Sequence, residues 1–264
     1  MVRAISFIQQ YQITSFLLIT FVLSLFSFCI MFFNSKWQTP ENLQALPIWV
    51  IAVWSPSISA LIIWFAKKEL STKFLSLFSL PTFSPWLMVL FVPIIILLAL
   101  LYFHTPGSID FSKVSLKVFI LLILLNLVLG PLGEEAGWRG FMLPILQSKF
   151  GWMGATLLIA LIWSFWHAPL WLIKSPQSEI NFWIFVGHVF CYSILMSILY
   201  NESGGSLIPV IIFHLLVNFI SGYSGLLGTH TTPDFYRLSL YYYIIGTLVS
   251  VVIYELIRDK TDCC

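Results

Sequence analysis

The sequence predicts an all-α integral membrane protein with about eight transmembrane helices and an intramembrane polar site. Three observations predict this fold class. Hydrophobic residues make up 59% of the 264 residues, charged residues make up only 9%, and the mean hydropathy is +0.94. A soluble domain is usually about 25% charged. The chain also contains apolar runs of membrane-spanning length, and several ionisable residues lie inside those runs.

Candidate transmembrane helices follow one another along the whole chain. A helix needs about 20 residues to cross the hydrocarbon of a bilayer. Eight stretches meet or approach this length: 13–33, 47–66, 85–103, 115–133, 152–173, 181–199, 206–222 and 238–257. The first is too long for a signal-peptide core, and no small-residue cleavage site follows it. We find no internal repeat and no second domain, so residues 1–264 are predicted to form a single membrane domain.

The basic residues predict the orientation. An even number of spans places both termini on one side, which carries seven Lys and Arg residues against five on the other when Arg139 is set aside. Most of the difference comes from KKELSTK at 67–73. Lys and Arg accumulate in cytoplasmic loops, so we expect cytoplasmic termini. Membrane lipids are expected partners, whereas the net charge of +2 is too small and too dispersed for nucleic acid to be one.

Two shorter segments are also interpreted. FLSLFSLPTFSPW, at 74–86, begins with apolar residues at helical spacing and predicts either a short helix in the membrane interface or a buried connector. Cys263 and Cys264 are interpreted as part of an unspecialised polar tail, with lipidation or metal binding as alternatives.

Polar residues inside the apolar stretches are the candidates for function. An ionisable group at mid-bilayer costs at least about 2.5–3.5 kcal/mol, so such groups usually face a protein interior and serve a purpose. Once loops, termini and most span ends are set aside, a short set remains: Glu134, Glu135, Arg139, His167, His188, His214 and the polar Asn218.

The segment GEEAGWRG, at 133–140, concentrates three of these residues. Glu135 and Arg139 are four apart and share one helix face, so they are expected to form an ion pair. Glu134 points about 100° away. It is left without a charge partner, which suits a general base. The alternative is that the triplet ends a span at the headgroup level and neutralises itself. The glycines of this region are expected to permit close approach of another helix or a substrate.

The histidines lie on two other stretches. His167 follows Trp163, Phe165 and Trp166 in LIWSFWHAPLW, where it is either functional or a packed core residue. His214 shares a helix face with Asn218 four residues later. That pair either forms part of a functional site or joins two helices by hydrogen bonds. A third histidine, His188, is assigned to packing or hydrogen bonding.

Taken together, the polar residues predict hydrolytic chemistry. A carboxylate with a histidine can activate water, and a histidine with an asparagine can hold an oxyanion. These groups suffice for attack of water on an amide without a nucleophilic side chain. Other hydrolase types fit less well, because the sequence has no H-E-x-x-H and no G-x-S-x-G, and its aspartates lie in loops or the tail.

At these residues the sequence resembles the CPBP family, which contains type II CAAX prenyl endopeptidases and bacteriocin-processing or Abi proteins. The family carries E-E-x-x-x-R, F-x-x-x-H and H-x-x-x-N on separate helices of an eight-helix intramembrane protease. The first motif is matched by Glu134, Glu135 and Arg139, and the third by His214 and Asn218. In the second motif Trp163 replaces the usual phenylalanine, four residues before His167. The departure leaves the function of that ring open.

The resemblance implies a role for each matched residue. Glu134, helped by His167, would activate water, and His214 with Asn218 would hold the oxyanion. Glu135, Arg139 and Trp163 would order the site or contact the substrate. Many members are described as metalloproteases, whereas another interpretation of the family requires no metal. A zinc ion bound by Glu134, His167 and His214 is therefore an alternative, and the cofactor is left unassigned.

The leading hypothesis is therefore an intramembrane endopeptidase whose catalytic helices lie at about 115–222. Its substrate would be a peptide or membrane protein that is either lipid-modified or unmodified, such as a C-terminal CAAX-type peptide or a leader peptide. A lipid-facing opening near Trp163, Phe165 and Trp166 could admit it. Two alternatives use the same residues differently: a polytopic transporter or proton path, and a non-catalytic bacteriocin-immunity protein of the same fold.

Overall fold

The computed structural model describes residues 8–39, 42–81, 85–104, 115–173, 175–223 and 233–261, which contain helices and no strand. The α-helices are α1 (Gln12–Phe33), α2 (Leu46–Ala66), α3 (Leu70–Leu77), α4 (Val92–His104), α5 (Leu116–Val128), α6 (Pro131–Gly137), α7 (Leu143–Trp166), α8 (Phe182–Glu202), α9 (Ile208–Tyr223) and α10 (Pro233–Thr261). A π-helical turn, Trp138–Met142, joins α6 to α7. Cys263 and Cys264 lie outside the described residues. The all-α prediction is confirmed.

The apolar helices agree with a chain that crosses the membrane several times. Within the described residues, five helical stretches are long and apolar enough to do so: Gln12–Phe33, Leu46–Ala66, Leu116–Trp171, Phe182–Glu202 and Phe235–Arg258. Two shorter apolar helices are Val89–Leu100 and Ile208–Ser221. All eight predicted stretches coincide with helical segments, but two of them fall within Leu116–Trp171. The number eight therefore stays a prediction.

The long stretch from Leu116 to Trp171 is divided into three helical parts. The chain turns at Leu129 and Gly130, and Pro131 begins the next helix. Proline suits a first helical turn because its fixed φ is helical and its missing N–H would have no partner there. The sequence predicted spans over 115–133 and 152–173 and placed Glu135 and Arg139 on one helix face between them. The first predicted span is interrupted at Leu129 and Gly130, and residues 131–150 are helical up to Gly151, whose φ of +68° interrupts α7.

Helix α2 packs against α1 and α6 and supports the turn before α6. The indole Nε1 of Trp54 donates to the carbonyl oxygen of Val128 over 2.8 Å. A Cβ atom added to Gly137 would lie 2.4 Å from the backbone carbonyl carbon of Pro56. Only glycine fits at this approach, since real Cβ contacts are not that short. The helix that carries the glutamates is thus held directly against α2.

Aromatic packing fixes the π-helical turn from the side of α1. Phe16 contacts the ring of Trp138 edge-on, with centroids 5.5 Å apart, and stacks on Phe141 at 5.1 Å. All three side chains are buried. Large aromatic side chains dominate the energetics of a core. This cluster therefore positions the turn that holds Arg139.

Helix α3 overlaps only the beginning of the segment 74–86. It covers Leu70–Leu77, so it starts within the basic segment, and it buries Leu77, while Phe74 and Leu75 are exposed. Residues 82–84 lie outside the described residues, and the choice between an interface helix and a buried connector stays a prediction. The carbonyl oxygen of Leu77 accepts a hydrogen bond of 2.7 Å from the backbone N–H of Leu207. This bond joins the end of α3 to the residue before α9.

His188 forms one hydrogen bond within α8 and one with α10. Its Nδ1 donates to the carbonyl oxygen of Ile184 over 2.9 Å, and its Nε2 lies 2.9 Å from the hydroxyl of Ser239. The ring is buried beside aromatic side chains. The assignment of His188 to packing and hydrogen bonding is confirmed.

Candidate active site

An ion pair buried inside the protein forms the centre of the candidate site. The Nη1 atom of Arg139 lies 3.0 and 3.1 Å from the two carboxylate oxygens of Glu135, four residues earlier. Neither side chain is exposed to any extent. Such a pair offsets the cost of removing both charges from water only if further hydrogen bonds complete it. The predicted pairing of Glu135 with Arg139 is confirmed.

His214 completes the surroundings of Glu135 from a second helix. Its Nδ1 lies 2.6 Å from Oε1 of Glu135. An ionised carboxylate only accepts hydrogen bonds, so Nδ1 carries the proton and donates it. The carboxylate of Glu135 therefore bridges Arg139 on the π-helical turn and His214 on α9. The sequence could not place these two motifs in contact, although it identified the residues of both.

Arg139 has two further contacts that the sequence did not indicate. Its Nη2 donates to the hydroxyl of Ser193 on α8 over 3.0 Å. Its guanidinium carbon lies 4.4 Å from the ring centroid of Trp163 on α7. A guanidinium over an indole face gains a favourable electrostatic interaction. Arg139 thus joins three helices around the site, and Ser193 carries no motif from which it could have been found.

Glu134 is separated from this ion pair and is held by a neutral donor. The Nε1 of Trp163 donates to its Oε2 over 2.6 Å, and the Glu134 side chain is buried. A phenylalanine at position 163 could not make this bond, since it has no N–H. The exchange of phenylalanine for tryptophan therefore adds a hydrogen bond to the first glutamate of the motif.

His167 lies at the end of α7, next to the same tryptophan. Its Nδ1 is 2.9 Å from the carbonyl oxygen of Trp163. A carbonyl oxygen accepts, so Nδ1 donates, and in the neutral ring the lone pair is on Nε2. The ring contacts Trp166 and Phe185, with centroids 4.6 and 5.2 Å apart. The half-buried His167 therefore carries a free acceptor nitrogen.

Asn218 lies near the start of α6, the helix that carries Glu134. Gly130 directly precedes α6, and a Cβ atom added to it would lie 2.9 Å from the Nδ2 of Asn218. The Asn218 side chain is half-buried, whereas His214 one turn earlier is buried. The described structure therefore brings together α6, the π-helical turn, α7 and α9. Each predicted site residue belongs to one of these segments or directly follows α7.

The predicted aromatic opening is only partly exposed. Trp163 and Trp166 are buried at 2% and 3%, whereas Phe165 is 47% exposed. Trp163 therefore faces the glutamates, and Phe165 is the ring of this group that lies on the outside. Among the described residues, the half-buried His167 and Asn218 are the most accessible of the predicted catalytic residues.

The arrangement of donors does not fit a three-ligand metal site. No group of three or more His, Cys, Asp or Glu side chains in the described part of the chain could hold a metal ion. In particular, Glu134, His167 and His214 are not assembled in this way. His214 directs its Nδ1 to Glu135, and Glu134 is bound by the indole of Trp163.

Comparisons with known proteins find one matching family model and one similar curated protein. Residues 116–220 match the family model of the type II CAAX prenyl endopeptidase Rce1-like proteins. The chain is also 33% identical over 171 residues to CAAX prenyl protease 2 of the archaeon Methanococcus maripaludis. That alignment covers 58% of this chain and 59% of the relative, so the chain matches less than two thirds of that relative's length. All seven predicted site residues lie within the matched segment 116–220.

Proposed function

Because this chain belongs to the CPBP family of multi-pass membrane proteins, we propose that it is an intramembrane endopeptidase. In this proposal Glu134 and His167 activate a water molecule that hydrolyses a peptide bond. One observation carries the proposal. Glu134 is a buried carboxylate that no cation of the described residues contacts directly, fixed by an indole N–H next to a separate Glu135–Arg139 ion pair.

Glu134 is suited to remove a proton from water. Trp163 occupies its Oε2, so Oε1 is the oxygen that remains for the water. His167 adds a second acceptor, since its Nδ1–H is used by the carbonyl of Trp163 and its Nε2 holds a lone pair. The water would bind between these acceptors. A positioned general base contributes about 10²–10⁴ in rate.

The reaction then proceeds through a tetrahedral intermediate. The water oxygen forms a bond to the carbonyl carbon while its proton moves to Glu134. The electron pair of the C=O bond moves to the oxygen, where Asn218 donates a hydrogen bond, assisted by His214 whenever its Nε2 is protonated. The C–N bond then breaks, and the leaving nitrogen takes the proton from Glu134. No side chain forms a covalent bond to the substrate.

Glu135, Arg139 and Ser193 act as positioning residues in this proposal. Glu135 fixes the ring of His214 through Nδ1, and Arg139 holds Glu135 in turn. Ser193 and the Trp163 ring hold the guanidinium on its other sides. The charges of Glu135 and Arg139 compensate each other, so Glu134 stays available for proton transfer.

The proposed substrate is a peptide or membrane protein cleaved at membrane depth. The name of the archaeal relative favours a C-terminal CAAX-type peptide with a prenyl group, and a bacteriocin leader peptide is the second choice. Entry from the side of His167 and Asn218, past the exposed Phe165, agrees with the burial of the other site residues.

A panel of quenched-fluorescence peptides, prenylated and unprenylated, tests the proposal with detergent-purified protein. The wild type, Glu134→Ala and His167→Ala run side by side, with and without a strong chelator. We expect the wild type to cleave, Glu134→Ala to be inactive, His167→Ala to be strongly impaired and the chelator to have little effect. Cleavage by Glu134→Ala would refute the proposed base. If no peptide is cleaved by the wild type, a gradient-driven uptake assay and a bacteriocin-protection assay test the transport and immunity alternatives.

A further inference from the structure

Helix α3 begins close to the end of a membrane-spanning helix. Helix α2, Leu46–Ala66, is one of the stretches that are long and apolar enough to cross the membrane. Only residues 67–69 separate it from α3, and Lys68 has a φ of +60°, which marks a tight turn at this point. Such a link reaches at most about 14 Å, so α3 starts near the level at which α2 leaves the hydrocarbon.

The side chains of α3 and of the residue that follows it divide into an apolar side and a polar side. Successive residues of a helix are about 100° apart around its axis. One side is apolar except for Ser71: Leu70, Phe74, Leu75, Leu77 and Phe78. The opposite side is polar: Thr72, Lys73 and Ser76. This division is typical of a helix that lies in the plane of the membrane interface.

Leu77 is the part of the apolar side that packs against the protein. It is buried, and a Cβ atom added to Gly140 would lie 2.9 Å from its Cδ1. Its carbonyl oxygen accepts from the backbone N–H of Leu207, and the hydroxyl of Ser206 donates to the carbonyl oxygen of Ser79 over 2.8 Å. These contacts fix the orientation of α3, so a rotation of the helix cannot bury its other apolar side chains.

The rest of the apolar side forms a continuous exposed surface. Leu75 is 72% exposed, and Leu80 extends the surface beyond the helix. The rings of Phe74 and Phe78 are exposed as well and contact each other, with centroids 5.2 Å apart. A contiguous apolar surface of this kind marks a site of contact with a membrane or a protein.

The charges beside this surface select the kind of partner. Lys68 and Lys73 are exposed, and neither forms an ion pair in the described part of the chain, whereas Lys67 pairs with Glu69 over 3.0 Å. Three lysines and one glutamate give the segment 67–73 a net charge of +2. Lysines next to a membrane-spanning helix are attracted to anionic lipid headgroups. Anionic groups just outside hydrocarbon are what this combination of charge and apolar surface fits.

We propose that residues 67–80 bind the headgroup layer of a leaflet that contains anionic phospholipids. Leu75 and the two phenylalanines insert to the level of the first acyl carbons, while Lys68 and Lys73 contact lipid phosphates. This inference goes beyond the proposed endopeptidase function and does not depend on it, because its test requires no cleavage.

Quenching by brominated lipids measures where α3 lies. A fluorophore is attached to a single cysteine, Leu75→Cys or Thr72→Cys, in full-length protein whose native cysteines are replaced by alanine. The protein is reconstituted into vesicles of phosphatidylcholine and phosphatidylglycerol, with one lipid at a time brominated in its acyl chains. We expect the fluorophore of Leu75→Cys to be strongly quenched. The fluorophore of Thr72→Cys, on the polar side of the same helix, should be quenched much less.

The same vesicles measure the lipid preference at this surface. Quenching of Leu75→Cys by brominated phosphatidylglycerol, relative to brominated phosphatidylcholine, gives the relative affinity of the two lipids. Each lysine near an anionic surface contributes a factor of about five at low salt, so adding Lys68→Gln/Lys73→Gln should lower the preference for phosphatidylglycerol by up to roughly twenty-five-fold. Lys36→Gln/Lys117→Gln removes the same charge from exposed positions elsewhere and should keep the preference. High salt should weaken it in the protein with all lysines present.

Two results would overturn the proposal. If Leu75→Cys is quenched no more than Thr72→Cys, the apolar side of α3 does not lie in lipid and contacts water or a protein instead. If both lipids quench Leu75→Cys equally and the change of Lys68 and Lys73 has no effect, the surface does not recognise anionic headgroups. Peptide cleavage is measured separately, so a protein that cleaves nothing but shows the lipid preference supports this inference without the proposed function.

Discussion

The buried ion pair between Glu135 and Arg139 gives a quantitative prediction about stability. Replacing Arg139 by methionine provides a long apolar side chain in place of the guanidinium. It leaves the carboxylate of Glu135, which is 0% exposed, with His214 as its remaining polar partner among the described residues. Breaking a buried pair in this way costs about 3–5 kcal/mol, since the remaining charge stays out of water. We expect Arg139→Met to be destabilised by this amount.

The double variant Glu135→Gln/Arg139→Met separates the ion pair from the packing. Glutamine still accepts the hydrogen bond from His214, and no charge remains unpaired. Replacing both members of a buried pair is often nearly neutral. The double variant should therefore recover most of the stability that Arg139→Met loses. With Glu135→Gln as the second single variant of this double-mutant cycle, the coupling should be at the upper end of roughly 0.5–3 kcal/mol, since the two residues are in direct contact.

Thermal unfolding in detergent, followed by intrinsic tryptophan fluorescence, measures this cycle. For a chain of about this size, 1 kcal/mol changes Tm by about 2–4 °C. The single variant should therefore unfold at about 6–20 °C below the wild type, with the double variant in between and close to the wild type. A single variant within about 2 °C of the wild type would refute the argument that this pair compensates a buried charge.

Further predictions concern the indole and the closest glycine contact. Trp163→Phe keeps an aromatic ring and removes the N–H that binds Glu134. A hydrogen bond to a charged group contributes about 1.5–3 kcal/mol, so we expect a lower Tm and a kcat/KM that is about ten- to a hundredfold lower. An unchanged kcat/KM would contradict this role. Gly137→Ala, whose Cβ would meet the Pro56 backbone at 2.4 Å, should lower stability by about 1–3 kcal/mol in denaturant unfolding. Gly246→Ala, which would meet only one side-chain atom at 3.5 Å, is its control and should be neutral or slightly stabilising.

The sequence predicted the parts of the site that follow from spacing along one helix. Glu135 and Arg139 are four residues apart, so a single helix brings them within reach of each other. The same rule placed His214 and Asn218 on one face. Glycines near the glutamates indicated close helix approach, and Gly137 does lie against α2.

Contacts between helices could not be predicted from the sequence, because they depend on how each helix is rotated and where it ends. Nothing in the spacing shows that Trp163 donates to Glu134 or that Ser193 accepts from Arg139. The bounds of the helix over 131–150 were also not predicted, since proline, glycine and charge at its start resemble the end of a span.

The central claim is that Glu134 is the base that activates water. Glu134→Gln tests it most directly, because glutamine still offers an oxygen to the indole of Trp163 and differs chiefly in basicity. With purified protein and the best peptide of the panel, the rate of a single turnover should fall at least about a hundredfold while peptide affinity is retained. A Glu134→Gln variant that cleaves at the wild-type rate would contradict the mechanism.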